Sequence, residues 1–311
     1  MDRKGKVLIA APVHEVLTMG LAAAGYELLW SEQISQEEAL RLLPECVGVI
    51  TSTRLQLNRE LIDAAPMLEF IGRMGSGMEV IDVDYASQKG IRCIGSPEGN
   101  CNAVAEHAMG ILLSLTKRVT KSFSEVRNGQ WLRDENRGIE LEGKTVGIIG
   151  FGHTGSAFAR LLSAFNMRIL AYDKYHPVAA TTNITPCNSL EPVFREADII
   201  SFHVPQQEDT HHLFNLEFAT AMQKPFILLN TSRGTVVDSE LLPGLLQSGK
   251  IAALGLDVWE EEPLSKMSGK LRIVFNELIT LPNVVITPHI AGYSVEALFK
   301  MGDILLKRII R

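Results

Sequence analysis

The sequence predicts an α/β protein built from two doubly wound parallel-sheet domains. Three observations predict it. Short apolar, β-branched runs alternate with helical patterns through the first hundred residues, the signature of a parallel sheet covered on both faces. A further run, Thr145–Ile149, leads into Gly150-Phe-Gly-His-Thr-Gly155 and then a helical pattern. The chain has 311 residues, enough for two separate cores.

In the first domain the candidate strands are Val7–Ala11, Tyr26–Trp30, Val47–Thr51, Leu68–Arg73 and Ile91–Ile94. Helical patterns lie between them at Glu15–Ala24, Gln36–Leu43, Asn58–Ala65 and Asp82–Lys89, punctuated by Gly25, Pro44, Pro66 and Gly90. In such sheets function gathers at the carboxyl ends of strands. Two ends stand out. Thr51-Ser-Thr-Arg54 follows the third strand. Arg73-Met-Gly-Ser-Gly-Met78 follows the fourth, and Gly75 and Gly77 bracket Ser76 there, so backbone amides can form an anion nest or an ordinary glycine turn.

Gly95–Asn100 reads as a turn-rich inter-domain crossing, and Asn102–Val119 as a long helix. Glu106 and His107 on that helix have no i+4 partner for a metal, so they read as solvated or packed. The polar 117–133 stretch carries Phe123, Val126 and Trp131, which marks a subunit contact or a plain surface helix.

The glycine stretch then sets the second domain. Gly150 permits a tight turn, Gly152 lets backbone approach a pyrophosphate, and Gly155 lets helix pack on strand. The helix N-terminus faces the phosphates with free N–H groups. A second strand, Arg168–Tyr172, ends at Asp173. That carboxylate stands about 20 residues past the glycines, where it can accept from ribose hydroxyls. It favours NAD over NADP because it repels a 2′-phosphate; Lys174 beside it pulls the other way. A turn and helix are expected in Pro186–Ala197. Strands follow at Asp198–Val204, Phe226–Thr231, Ile251–Asp257 and Val284–Thr287, with a capped helix at Asp238–Gly249. Within the 264–283 connector only Val274–Leu278 suggests a short helix, and Ser294–Arg311 closes as one amphipathic helix.

Three residues follow three successive strand ends of this domain: Arg233, Glu262 and His289. Arginine offers a planar fork for a carboxylate. Histidine can exchange a proton near neutrality. A glutamate on the other imidazole nitrogen fixes its tautomer. Singly, each reads more readily as a surface charge, a solvated acidic turn or a capping histidine. Together beside a dinucleotide turn they suit a 2-oxo or 2-hydroxy acid.

The net charge of −6 disfavours nucleic acid or an anionic membrane as the main partner. Cys46, Cys93, Cys101 and Cys187 are scattered and read as reduced, packed thiols rather than metal ligands. No apolar run is long enough to cross a bilayer, and the N-terminus lacks a secretory pattern. A cytoplasmic protein without a metal is expected.

The chain resembles the D-isomer-specific 2-hydroxyacid dehydrogenase family over nearly its whole length. The matching pieces are Gly72–Gly77, Asn102–His107, Gly150–Gly155, Asn230–Asp238, Gly255–Pro263 and Thr287–Gly292. The resemblance implies a Rossmann NAD-binding domain (98–292) inserted into a flavodoxin-like substrate domain (1–97 and 293–311), and a homodimer formed through the 102–142 region. It implies that Arg233 binds the substrate carboxylate, that His289 is the acid and base, and that Glu262 holds His289. It places Gly150, Gly152, His153, Thr154, Gly155, Asp173, His203, Pro205, Thr231, Asp257 and Val104 around the cofactor. Ser76 and Gly77 would hold the substrate carboxylate. His153-Thr154 stands where members commonly carry Arg-Ile, and Glu79 where an Asp is usual. Ile50–Arg54 and Ser96–Asn100 look most like the phosphoglycerate dehydrogenases, with Arg54 as the expected phosphate contact. Glyoxylate or hydroxypyruvate reduction is the alternative, and an NAD-sensing corepressor is a third reading.

Overall fold

A computed structural model describes residues 4–311 as two compact units. One takes the chain through Ala103 together with Gly292–Arg311. The other is Val104–Ala291.

In the first unit β1 (Gly5–Ile9), α1 (Glu15–Ala23), β2 (Tyr26–Trp30), α2 (Gln36–Leu42), β3 (Cys46–Thr51), α3 (Arg59–Asp63), β4 (Phe70–Arg73), α4 (Val83–Gln88) and β5 (Arg92–Ile94) alternate. The strands form one parallel sheet in the order β2-β1-β3-β4-β5, the flavodoxin-like order. Ser35, Asn58 and Asp82 cap their helices by accepting backbone N–H groups. One face buries Leu8, Val49, Leu61 and Ile71. The other is closed by the C-terminal helix, which carries Ala297, Met301, Leu305 and Ile309 onto Val7, Ile9, Leu17 and Phe70.

The chain leaves this unit within α5 (Pro97–Thr116). The expected turn at Gly95–Asn100 is therefore corrected: Pro97–Asn100 is helical. Proline is tolerated in a first helical turn. Gly99 is small because a Cβ there would lie 2.6 Å from Met301 Cγ.

The second unit holds α6 (Val119–Arg127), β6 (Thr145–Ile149), α7 (His153–Ser163), β7 (Arg168–Tyr172), β8 (Ile184–Cys187), α8 (Glu191–Glu196), β9 (Ile199–Phe202), α9 (Leu216–Ala221), β10 (Phe226–Asn230), α10 (Leu242–Gln247), β11 (Ile251–Leu256), α11 (Gly269–Leu278) and β12 (Val284–Ile286). The seven parallel strands run β12-β11-β10-β9-β6-β7-β8. This is the Rossmann order with one added strand, and strand order reverses between β6 and β9. The last helix, α12 (Val295–Ile309), belongs to the first unit.

Three further expectations are corrected. The turn at Pro186 is part of β8, an exposed edge strand where proline removes no needed ladder bond. The 264–283 connector contains ten-residue α11, held by buried Leu271 and Leu278. The Asp238–Gly249 helix is a 3-10 turn at Ser239–Leu241 followed by α10. Among the described residues, no helix is long and apolar enough to cross a membrane.

Candidate active site

The glycine turn sits at the point where strand order reverses. Gly150 has φ +90°, and a Cβ there would meet the His203 carbonyl oxygen at 2.5 Å. Gly155 is pressed against the turn, since its Cβ would lie 2.1 Å from the Gly150 carbonyl oxygen. Gly152 differs: a Cβ would meet nothing within 4 Å. It caps α7 without a side-chain hydrogen bond. His153 is exposed and Thr154 half-buried in the first turn. An open glycine before an uncapped helix N-terminus fits an approaching phosphate.

Asp173 follows β7. Its Oδ2 accepts from Phe151 N at 2.7 Å, and Oδ1 from Tyr175 N and His176 N, both at 2.9 Å. Burial opposes ionisation, yet these three N–H donors outweigh it and hold the carboxyl below its ordinary range. The carboxylate thus shapes the glycine turn and keeps lone pairs for a further donor. The ribose role expected from sequence would come in addition to this hold on the turn.

His203 follows β9. Its Nε2 pairs with Ser201 Oγ at 2.9 Å, and its ring packs on Phe158 with centroids 5.4 Å apart. Burial pushes its pKa down to about 4, so the ring is neutral. Pro205 is exposed. Thr231, at the end of β10, is buried with Oγ1 unpartnered among the described residues. Such an orphaned hydroxyl fits a polar ligand. Val104 is buried on α5.

Arg233 lies three residues past β10. Asn230 organises this loop: its Oδ1 accepts from Ser232 N and Oγ, and its Nδ2 donates to the Arg233 carbonyl at 2.8 Å. A Cβ on Gly234 would sit 1.9 Å from the Trp259 carbonyl oxygen. The Arg233 loop therefore lies directly against the turn that carries Glu262. That turn is held twice. Glu262 Oε1 accepts from Trp259 N at 2.7 Å. Glu260 Oε1 accepts from Ser239 N, and its Oε2 pairs with His212 Nε2, both at 2.8 Å.

Glu262 Oε2 lies 2.6 Å from His289 Nδ1. An ionised carboxylate only accepts, so this contact favours the hydrogen on Nδ1 and leaves Nε2 outside the pair. His289 has φ +56°, a conformation most side chains avoid.

Asp257, 1% exposed, holds the His289 segment. Its Oδ1 accepts from Thr287 Oγ1 at 2.5 Å and Ile290 N at 2.9 Å, and its Oδ2 from Ala291 N at 2.7 Å. Burial opposes its charge, but His107, Thr287 and the two backbone donors prevail and keep the carboxyl below its ordinary range. His107, expected to be solvated or packed, is half-buried and also bonds into this group: its Nε2 lies 2.9 Å from Thr287 Oγ1. Sequence reading also passed over His212, Ser239 and Glu260. For His107 the strand-end rule offered no signal, because it sits in a helix.

In the first unit, Arg54 is exposed after β3, and Ser76 and Gly77 follow β4, its paired neighbour. Gly75 has φ +142°. Ser96 Oγ pins the loop by accepting from Gly75 N and donating to the Arg73 carbonyl.

Comparison with known proteins agrees with this geometry. The description "D-isomer specific 2-hydroxyacid dehydrogenase, NAD binding domain" matches residues 109–291. A hydroxypyruvate reductase of Thermotoga maritima is 36% identical over 90% of this chain and 89% of its own. A D-3-phosphoglycerate dehydrogenase of Archaeoglobus fulgidus is 34% identical over 98% of this chain but 56% of its own, so the chain spans about half of that relative. A D-lactate dehydrogenase of Aquifex aeolicus, solved with NAD and lactic acid, superposes with a TM-score of 0.82 at 30% identity, covering 98% of this chain and 94% of that one. With its glycine turn and its arginine, glutamate and histidine on successive strand ends, the chain belongs to the D-isomer-specific 2-hydroxyacid dehydrogenase family.

Proposed function

We propose that the chain reduces 3-phosphohydroxypyruvate to D-3-phosphoglycerate, and the reverse, with NAD(H). The observation that carries the chemistry is the 2.6 Å contact between Glu262 and His289 Nδ1. It leaves Nε2 to protonate the carbonyl oxygen as it becomes a hydroxyl, and to take the proton back in oxidation. Arg233 grips the substrate carboxylate and polarises the carbonyl. The N–H groups of Ser76 and Gly77 bind that carboxylate, and Arg54 binds the phosphate. Gly150, Gly152, His153, Thr154 and Gly155 take the pyrophosphate, Asp173 the ribose, and His203 and Pro205 the adenine side. Val104, Thr231 and Asp257 border the nicotinamide end. When bound, NAD(H) supplies and accepts the hydride, and the protein supplies alignment and the proton.

A second reading, hydroxypyruvate or glyoxylate reduction, is favoured by the near full-length match to a hydroxypyruvate reductase and by the single cation in the Thr51–Arg54 loop. Steady-state turnover with NADH and each of the three acids decides. The highest kcat/KM for the phosphorylated acid, lost in Arg54→Ala, is the expected result. Higher kcat/KM for the unphosphorylated acids installs the second reading, and no turnover with any acid installs the corepressor-like one. Exposed Val119, Phe123, Val126 and Trp131 support a homodimer through the 102–142 region, and light scattering on the purified chain tests it.

A further inference from the structure

We propose that His107 is a positioning residue that holds His289 in register through Thr287 and Asp257. The proposal rests on the dehydrogenase reading above. His289 sits in left-handed backbone at φ +56°. Such a conformation persists only where surroundings over-determine it. Its own N–H reaches only back to the Thr287 carbonyl, at 3.0 Å. The restraint comes from Asp257, which takes hydrogen bonds from Thr287 on one side of His289 and from Ile290 and Ala291 on the other.

A threonine hydroxyl has one hydrogen. Thr287 gives it to Asp257 Oδ1 at 2.5 Å, because an ionised carboxylate only accepts. Thr287 Oγ1 must then accept from His107 Nε2, 2.9 Å away. The same nitrogen lies 3.4 Å from Asp257 Oδ1, so its N–H leans toward the buried charge. Nε2 of His107 therefore carries hydrogen whatever the ring's charge. The helix bearing His107 is seated by Gly255 on β11, where a Cβ would lie 2.4 Å from Ile111. Donor, hydroxyl, carboxylate and the backbone around His289 form one continuous chain.

His107→Leu removes the donor at similar size, and His107→Gln restores an N–H near the Nε2 position. The leucine variant should lose roughly tenfold to a hundredfold in kcat, with KM for the 2-oxo acid within about twofold of wild type. The glutamine variant should recover most of the loss. Thr287→Val should match the leucine variant, and the double variant should be no worse, since both cut one chain. Ring-nitrogen NMR shifts of His289, recorded on the whole protein without substrate, should move in the leucine variant and return in the glutamine one. The proposal is overturned by unchanged kcat and shifts in the leucine variant. It is overturned equally if leucine and glutamine lose kcat alike in step with lowered melting temperature, which is a packing role. If wild type reduces no 2-oxo acid, the dehydrogenase reading fails by itself, and the NMR comparison still judges the link from His107 to His289.

Discussion

The two halves of the seven-stranded sheet build their candidate binding edges by opposite means. On the β6–β8 side the edge is backbone. Gly150, Gly152 and Gly155 let main chain turn, lie open and pack, and Asp173 ties the turn through the Phe151 N–H. On the β9–β12 side the edge is side chains bonded across loops: Glu262 to His289, Glu260 to His212 and Ser239, Asp257 to Thr287. A phosphate is met by peptide N–H groups, so side chains must be absent. A proton must be handed over at one nitrogen, so side chains must be aimed. The halves should therefore fail differently under substitution.

The largest expected effect is on the aimed half. His289→Ala should lower kcat by ~10²–10⁴-fold with NADH affinity nearly unchanged, read by steady-state kinetics and fluorescence titration. A variant within threefold of wild type would assign the acid elsewhere. The backbone half should separate fold from binding within the four residues Gly152–Gly155. Gly155→Ala puts a methyl 2.1 Å from a carbonyl oxygen and should cost about 1–3 kcal/mol in urea unfolding. Gly152→Ala meets nothing within 4 Å, so stability should hold within about 0.5 kcal/mol while NADH binding weakens. Equal stability losses in both would mean that packing alone shapes the turn.

The same contrast explains what could be read in the chain. The glycine turn and the apolar strands leading to it are local patterns, and β6 and β7 follow the expected Thr145–Ile149 and Arg168–Tyr172. Arg233, Glu262 and His289 stand out as candidates because strand ends are special places in a parallel sheet. His107 does not, because its partner Thr287 lies 180 residues away. Nor does the start of α5: Ser-Pro-Glu-Gly-Asn has turn composition, and the reason for Gly99 is Met301, brought over by the last helix. Strand β8 hid behind Pro186 because exposed edge strands lack an apolar run. Helix α9 is six residues long with two buried positions, Phe218 and Ala219, too few to show a period.

A smaller effect sharpens the comparison through pH. His203 stands where the halves meet, and its pKa falls from 6.5 to about 4 on burial. The unfolded chain takes up a proton as pH drops below 6.5, and the folded chain does not until about 4. Stability is therefore fully present above pH 6.5 and is lost as pH falls toward 4, by up to about 1.4 kcal/mol per pH unit. Asp173 and Asp257 also lose their contributions on acidification, but both carboxyls are held below 3.8, so their windows lie lower. His203→Gln should flatten the urea-unfolding free energy between pH 7 and pH 5 relative to wild type. An unchanged slope would place the sensitive group elsewhere.

The smallest expected effect concerns which dinucleotide the backbone half accepts. With the ribose at Asp173, as proposed, the carboxylate would repel a 2′-phosphate, but adjacent Lys174 would attract one if its ammonium were free. It is paired: Lys174 Nζ and Tyr175 Oη both lie 2.5 Å from Asp209 Oδ2, and the ammonium sits over the Tyr175 ring at 5.4 Å. The hydrogen bond raises the pKa of Lys174 and lowers that of Asp209. Both groups are near solvent, where such pairs are weak and salt-screened. Asp209→Asn should thus raise the NADPH-to-NADH ratio of kcat/KM only roughly twofold to fivefold, and less at high salt. Asp173→Asn should raise it further, since it removes the repelling charge itself. If Asp209→Asn leaves the ratio fixed while Asp173→Asn moves it, the lysine is out of reach of the ribose and the carboxylate alone discriminates.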